Sequence, residues 1–234
     1  MCLIVTAVQW DDRRGMNHSR VAVTPFAIYC SGGASRVLGF YAHERNRDAY
    51  APRCVVYDGG QPEILGALQT LFGDRVVPFA PSPDEASRLH AATSAGIHRA
   101  MAAHGATALI CFGQCILQGP IIDAYPRALI NFHPSLLPAF PGLRAIDRAL
   151  EAGVALLGNT AHLIDRGIDT GEVLAQSAMC REDYASYEDV LELQYPLLKL
   201  VLRDVLGLPV PASDVGAEID HRRTPYLVPR RCRP

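Results

Sequence analysis

The sequence predicts an open α/β fold, with a mostly parallel central sheet flanked by helices, and three observations predict it. Short β-rich runs alternate with helix-length segments from Phe26 to Leu206, an order that gives parallel strands joined by right-handed crossovers, the Rossmann-like arrangement. Ala128-Leu129-Ile130 is an apolar run of the kind buried on both faces of a sheet, and polar residues arrive abruptly at its carboxyl end. Helix signals stand between the runs. The clearest is Ser82-Pro83-Asp84-Glu85, with a capping Ser, Pro at the first helical position and Glu three residues after the cap.

A chain of 234 residues, 49% of them hydrophobic, suits one slightly enlarged domain with a substantial core. Residues 1–22 read as an N-terminal extension forming a strand or hairpin, 23–206 as the main domain, and 207–234 as a Pro/Arg-rich tail, loosely ordered. No apolar run approaches the ~20 residues of a membrane helix, and Met1 to Val5 lacks the basic start of a signal peptide. A soluble, cytoplasmic protein without a membrane partner is expected. Seven cysteines, at 2, 30, 54, 111, 115, 180 and 232, show no C-x-x-C spacing. That argues against a disulfide framework and against a metal site, and Cys111 and Cys115 are expected in the core. Five of the arginines lie in residues 221–234, leaving 17 basic against 24 acidic residues elsewhere, a balance unlike that of a nucleic-acid binder. Lys199 is the only lysine, which removes a Walker loop and makes Schiff-base chemistry a poor fit.

In chain order, Leu3 to Trp10 and Ser19 to Thr24 are β-rich runs that could pair as a hairpin. Phe26 to Cys30 reads as a strand and Ser31-Gly-Gly-Ala-Ser35 as the loop opening a helix. Arg53 to Tyr57 is a second strand of this series, Pro62 to Phe72 a helix closed by Gly73, and Arg75 to Phe79 a third strand. The helix begun at Ser82 runs to Gly105, with Leu89, Ala92, Ile97, Ala100 and Met101 on one side. Thr107 to Phe112 is the fourth strand. Gly142 to Ala152 reads as a helix with Leu143, Ile146 and Leu150 inward, and Leu156 to Ile164 and Glu172 to Ser177 as strands. Ser186 to Leu206 is amphipathic, with Pro196 expected to kink or divide it.

Asn131-Phe-His133-Pro134-Ser-Leu-Leu-Pro138 is the stretch around which the chain is organised. Residues two apart on a strand share a face, so Asn131 and His133 present an amide and an imidazole to one volume. The carboxyl ends of strands in open α/β sheets are where ligands bind. Together with Asp169-x-Gly171 downstream, this motif resembles the formyltetrahydrofolate-dependent formyltransferases, above all their glycinamide ribonucleotide branch. The resemblance runs from about Phe26 to Leu206 and is strongest between Leu109 and Gln176.

The resemblance implies a formyltransferase of Rossmann-like fold that takes a formyl group from 10-formyltetrahydrofolate, without a metal, and delivers it to an amine through a tetrahedral intermediate. It implies Asn131, His133 and Asp169 as the catalytic trio. Asn131 would donate to the developing oxyanion, His133 would handle the proton, and Asp169 would raise the His133 pKa. Asp165 could compete for the last role, and His162 reads as structural. The pterin would bind along Phe112, Gln114, Cys115, Ile116 and Leu117 and along Ile164, Asp165 and Ile168. In the ribonucleotide branch the loop at Gly32, Gly33, Ala34 and Ser35 receives the acceptor's phosphate. Here it reads either so, with Arg36 as counter-charge, or as a simple tight turn.

Three departures touch the acceptor. The glycine loop lacks the branch's Asn-Gly-Ser-Asn wording, Gln114-Cys115 replaces Met-Arg, and Glu192 is out of register before Tyr195-Pro196. They lead to the expectation that the acceptor is an amine or hydroxylamine of another small metabolite, with Arg222, Arg223 and Tyr226 covering its pocket. The alternatives are glycinamide ribonucleotide itself, water as acceptor in a formyltetrahydrofolate hydrolase (which usually carries an extra regulatory domain before this one), and a non-catalytic folate-binding protein. A dinucleotide-dependent dehydrogenase lacks its Gly-x-Gly-x-x-Gly. Either a monomer or a homodimer fits.

Overall fold

A computed structural model describes residues 4–7, 23–80 and 88–208. Its strands are β1 (Ile4–Ala7), β2 (Phe26–Cys30), β3 (Cys54–Tyr57), β4 (Val76–Pro78), β5 (Ala108–Phe112), β6 (Leu129–His133), β7 (Leu156–Leu163) and β8 (Val173–Cys180). They form one sheet in the order β1-β8-β7-β6-β5-β2-β3-β4. Pairing is parallel from β4 through β3, β2 and β5 to β6, and antiparallel from β6 through β7 and β8 to β1. The sheet is thus mostly parallel, with the residues before Val23 contributing an antiparallel edge strand.

The helices are α1 (Ser35–Ala42), α2 (Glu44–Ala49), α3 (Pro62–Phe72), α4 (Leu89–His104), α5 (Pro120–Ala124), α6 (Ala145–Glu151), α7 (Tyr187–Glu192) and α8 (Gln194–Leu200). The central strands are buried on both faces because successive residues feed opposite cores. Phe26, Ile28, Ile110 and Phe132 pack with Phe40 of α1, Leu68 of α3 and Leu198 of α8. Ala27, Tyr29, Leu109 and Cys111 pack with Ile97 and Met101 of α4 and Ile121 of α5. A third cluster joins Ile146 and Ala149 of α6 to Leu157, Met179 and Val190. Cys111 lies in the core and Cys115 is half-buried.

The structure corrects several expectations. Leu143 is 88% exposed, because Arg144 takes a left-handed conformation (φ 55°) and α6 starts only at Ala145. The segment from Ser186 is not one helix. A capping box between Ser186 and Asp189 opens α7, the helix breaks at Leu193, and α8 follows with Pro196 in its first turn. Proline has no N–H for the Glu192 carbonyl and crowds it, whereas the first turn of a new helix needs none. At the break Ser177 Oγ donates to the Leu193 carbonyl at 2.8 Å. A π-helical turn, Val201–Val205, follows α8. Leu208, placed in the tail by sequence, is buried and donates its N–H to the Leu202 carbonyl.

Val23 and Thr24 are not strand, and the rest of the second half of the expected hairpin lies outside the described residues. So do the helix start at Ser82 and the tail residues Arg222, Arg223 and Tyr226. Among the described residues no helix is long and apolar enough to cross a membrane.

Candidate active site

β6 delivers Asn131 and His133 to the carboxyl end of the parallel strands, and the antiparallel register sets His162 of β7 opposite Asn131 and Thr160 opposite His133. All four side chains therefore share one face. Between Ala161 and His162 the β7–β8 register is irregular, and such bulges re-aim side chains beside sites. After β7 the chain loops out and returns with Asp169 in the left-handed region, φ 54°, which Asp tolerates better than most residues.

Gly171 is what allows that return. A Cβ there would stand 1.7 Å from the Leu163 carbonyl oxygen, so the Asp-x-Gly spacing is a steric requirement of the loop. Asp165 does not compete with Asp169: its Oδ1 accepts from the Gly167 N–H (2.9 Å) and the Thr170 hydroxyl (2.8 Å), and so ties the loop together.

Asp169 Oδ2 lies 3.2 Å from His133 Nδ1 and Oδ1 lies 3.4 Å from His162 Nε2. Asn131 Nδ2 is 3.2 Å from the same His162 Nε2. His162 Nδ1 is 2.9 Å from the Leu163 carbonyl, an obligate acceptor, and must carry a proton. In the neutral ring Nε2 then accepts from Asn131, which turns the NH2 end of that amide toward His162 and leaves its second hydrogen for the site. His162, read from sequence as structural, thus holds Asn131 in place and stands beside Asp169. The signal was the polar alternation Thr160-x-His162, matching Asn131-x-His133 on the neighbouring strand.

His133 Nε2 lies 2.9 Å from the Phe140 carbonyl, so its two ring nitrogens both face oxygens. Either neutral tautomer opposes one lone pair to an acceptor, and the imidazolium satisfies both. Burial opposes that charge. It holds His133 below the ordinary histidine value, although the Phe140 carbonyl and the Asp169 carboxylate push upward. The expected rise caused by Asp169 is therefore present but outweighed. For Asp169 burial pushes up, and its contact with the His162 ring, the 2.7 Å N–H of Gly142 and the nearby His133 imidazole outweigh it, leaving the carboxyl below its usual range.

Ser135 donates to the Ala139 carbonyl at 2.6 Å. Thr160 Oγ1 donates to the Ser135 carbonyl (2.6 Å) and accepts from the Leu137 N–H (3.0 Å). Gln176 donates to the Leu137 carbonyl at 2.9 Å. The turn after His133 is thereby fixed by its own Ser135 and from the two strands β7 and β8.

The remaining sequence-predicted residues divide. Ile116 and Ile168 are 48% and 55% exposed, apolar side chains on two loops, and Gln114 and Asp165 are exposed. Leu117 is buried with α4, Phe112 is buried against Phe132, and Ile164 and Cys115 pack beneath the loops. Of Leu117 and Phe112 only backbone is available there. Gly33 and Ser35 are exposed and Ala34 is buried, with φ 46° and no side-chain cap on α1. Gln114 N–H donates to Ser31 Oγ at 2.8 Å, joining the glycine loop to the loop after β5. Among the described residues no group of three or more His, Cys, Asp or Glu side chains could hold a metal.

A half-buried amide donor, an imidazole that burial biases toward its neutral form, and an adjacent carboxylate can stabilise an oxyanion and take a proton, the requirements of acyl transfer. A family model described as Formyl transferase matches residues 71–189. The chain is 31% identical over 190 residues to the phosphoribosylglycinamide formyltransferase of Bacillus subtilis, covering 78% of this chain and 95% of that one. Among solved structures it resembles glycinamide ribonucleotide transformylase 1 from Geobacillus kaustophilus (TM-score 0.66, 29% identity, 80% of this chain and 100% of that one). It also resembles phosphoribosylglycinamide formyltransferase from Bacillus halodurans (TM-score 0.66, 25% identity, 79% and 96%).

Proposed function

The chain belongs to the formyl transferase family, and from that premise we propose that it moves the formyl group of 10-formyltetrahydrofolate to the primary amine of glycinamide ribonucleotide. The observation that carries the reaction is the closed arrangement of Asn131, His162, Asp169 and His133 at the end of β6. The acceptor rests on the names of relatives aligned over nearly their whole length. They favour the ribonucleotide over the different amine that the sequence alone suggested.

The fit to the donor rests on the two loops flanking β5 and β7. Ile116 and Ile168 expose apolar surface on the loops after β5 and β7, of the kind a flat ring packs on, and backbone groups of Phe112 to Leu117 and Ile164 to Asp169 are candidates for its polar edge. Attack by the amine on the formyl carbon places negative charge on its oxygen and leaves a proton on the nitrogen. Asn131 donates its free N–H to that oxygen. His133, neutral at rest with Nδ1 held against Asp169, takes the proton on Nε2 once the ring turns that nitrogen from the Phe140 carbonyl to the amine, and returns it to the departing folate nitrogen, with Asp169 balancing the transient charge.

The second reading, a different amine or hydroxylamine, is favoured by one observation: Gln114 and Cys115 put no cation on the loop after β5. Initial rates against glycinamide ribonucleotide and a panel of amines separate the two. A kcat/KM on the ribonucleotide above about 10,000 M⁻¹ s⁻¹, the floor of ordinary enzymes, supports the first. A better rate on another amine supports the second.

A further inference from the structure

Phe140, Pro141 and Gly142, in the loop between β6 and α6, meet three side chains with consecutive backbone groups. The Phe140 carbonyl faces His133 Nε2 at 2.9 Å, and the Gly142 N–H donates to Asp169 Oδ2 at 2.7 Å. Between them the Pro141 carbonyl accepts from Nη2 of Arg148, a half-buried residue of α6. The loop does not favour this shape on its own. Phe140 and Arg144 take left-handed conformations, φ 56° and 55°, which their side chains disfavour, and Gly142 lies at φ 78°.

Arg148 is committed to this loop. The carboxylates of its own helix, Asp147 and Glu151, pair instead with Arg144, at 3.1 and 3.4 Å. Among the described residues its buried Nε has no hydrogen-bond partner. Its charge reaches His133, where it opposes the imidazolium. It also acts through a single peptide, because the Pro141 carbonyl and the Gly142 N–H belong to one planar unit. A cation on that oxygen draws electron density from the nitrogen and makes the N–H a stronger donor. Guanidinium, peptide and carboxylate thus form a chain that ends on Asp169.

We propose that Arg148 is a positioning residue for the reaction, fixing the Phe140–Gly142 loop and, through the Pro141–Gly142 peptide, the Asp169 carboxylate beside His133. It binds neither donor nor acceptor. This rests on the roles given above to His133 and Asp169.

The test compares wild type with Arg148→Gln and Arg148→Lys; Arg148→Met, which keeps the packing of the stem, serves if Arg148→Gln does not fold. In Arg148→Gln kcat should fall roughly 10- to 100-fold, the effect of displacing a reacting group by about an ångström, with KM for donor and acceptor nearly unchanged. Arg148→Lys keeps the charge and one donor and should recover part of the rate. The Gly142 amide proton gives a readout without turnover. Its NMR resonance should move upfield in Arg148→Gln, as its bond to Asp169 weakens, and return toward the wild-type position in Arg148→Lys. If that shift is seen while no amine is formylated, the proposed reaction fails and the link from Arg148 to Asp169 stands. A Gly142 resonance unmoved in Arg148→Gln, a loss confined to KM, or no recovery in Arg148→Lys would overturn the proposal.

Discussion

His133 is poised rather than charged, and that has a pH signature. Because burial holds its pKa below the ordinary histidine value of about 6.5, the imidazole is neutral at neutral pH. kcat/KM should therefore stay level down to that value and fall only as the pH drops through the depressed pKa. Asp169 pushes His133 upward, so in Asp169→Asn the acid limb of the residual activity should move to still lower pH. A wild-type acid limb above 6.5 would contradict this. Asn131→Ala, His133→Ala and Asp169→Asn should each lose about 100- to 10,000-fold in kcat, with folate binding largely kept and losses that do not add. Retention of more than a tenth of the rate by any of them would count against its role. His162→Ala should lose less, about 10- to 100-fold, since it displaces Asn131 rather than removing a reacting group; an unchanged kcat would return His162 to a packing role. That Asn131, His133 and Asp169 lie together was legible because a strand places i and i+2 on one face and because the motif is specific. His162 was not, because only β6–β7 pairing sets it against Asn131.

At the scale of elements, the return of Asp169 depends on one missing methyl. Gly171→Ala would set a Cβ against the Leu163 backbone, which cannot yield as a side-chain end can. A loss of about 1 to 3 kcal/mol in chemical denaturation is expected, with a fall in kcat as Asp169 is displaced. Gly33 has open space around it and no left-handed φ. Gly33→Ala should stay within about 0.5 kcal/mol of wild type, and similar costs at the two sites would contradict this reading of the loop. Most elements could be read from local chemistry, as at Pro62 to Gly73, where Pro opens the helix and Gly closes it. The break at Leu193 could not be placed, because Pro196 announces an interruption without saying on which side the chain turns. That is decided by tertiary partners, among them Ser177 on the Leu193 carbonyl. Leu143 was misassigned because helical spacing alone does not show that Arg144 adopts a left-handed conformation.

For the whole molecule, the order of strands and helices gave the parallel half of the sheet, and pairing between distant segments gave the rest. No local signal puts β7 antiparallel to β6 or Ile4–Ala7 antiparallel to β8. That antiparallel step matters, since it turns β7 so that His162 and the Asp169 loop meet the end of β6. The central claim is formyl transfer from folate to an amine by this assembly. It is tested most directly by incubating the protein with 10-formyltetrahydrofolate and glycinamide ribonucleotide and quantifying both products. The account predicts one formylated ribonucleotide for each tetrahydrofolate released, dependent on His133. Release of free formate without a formylated amine, or donor left unconsumed with every amine offered, would contradict it.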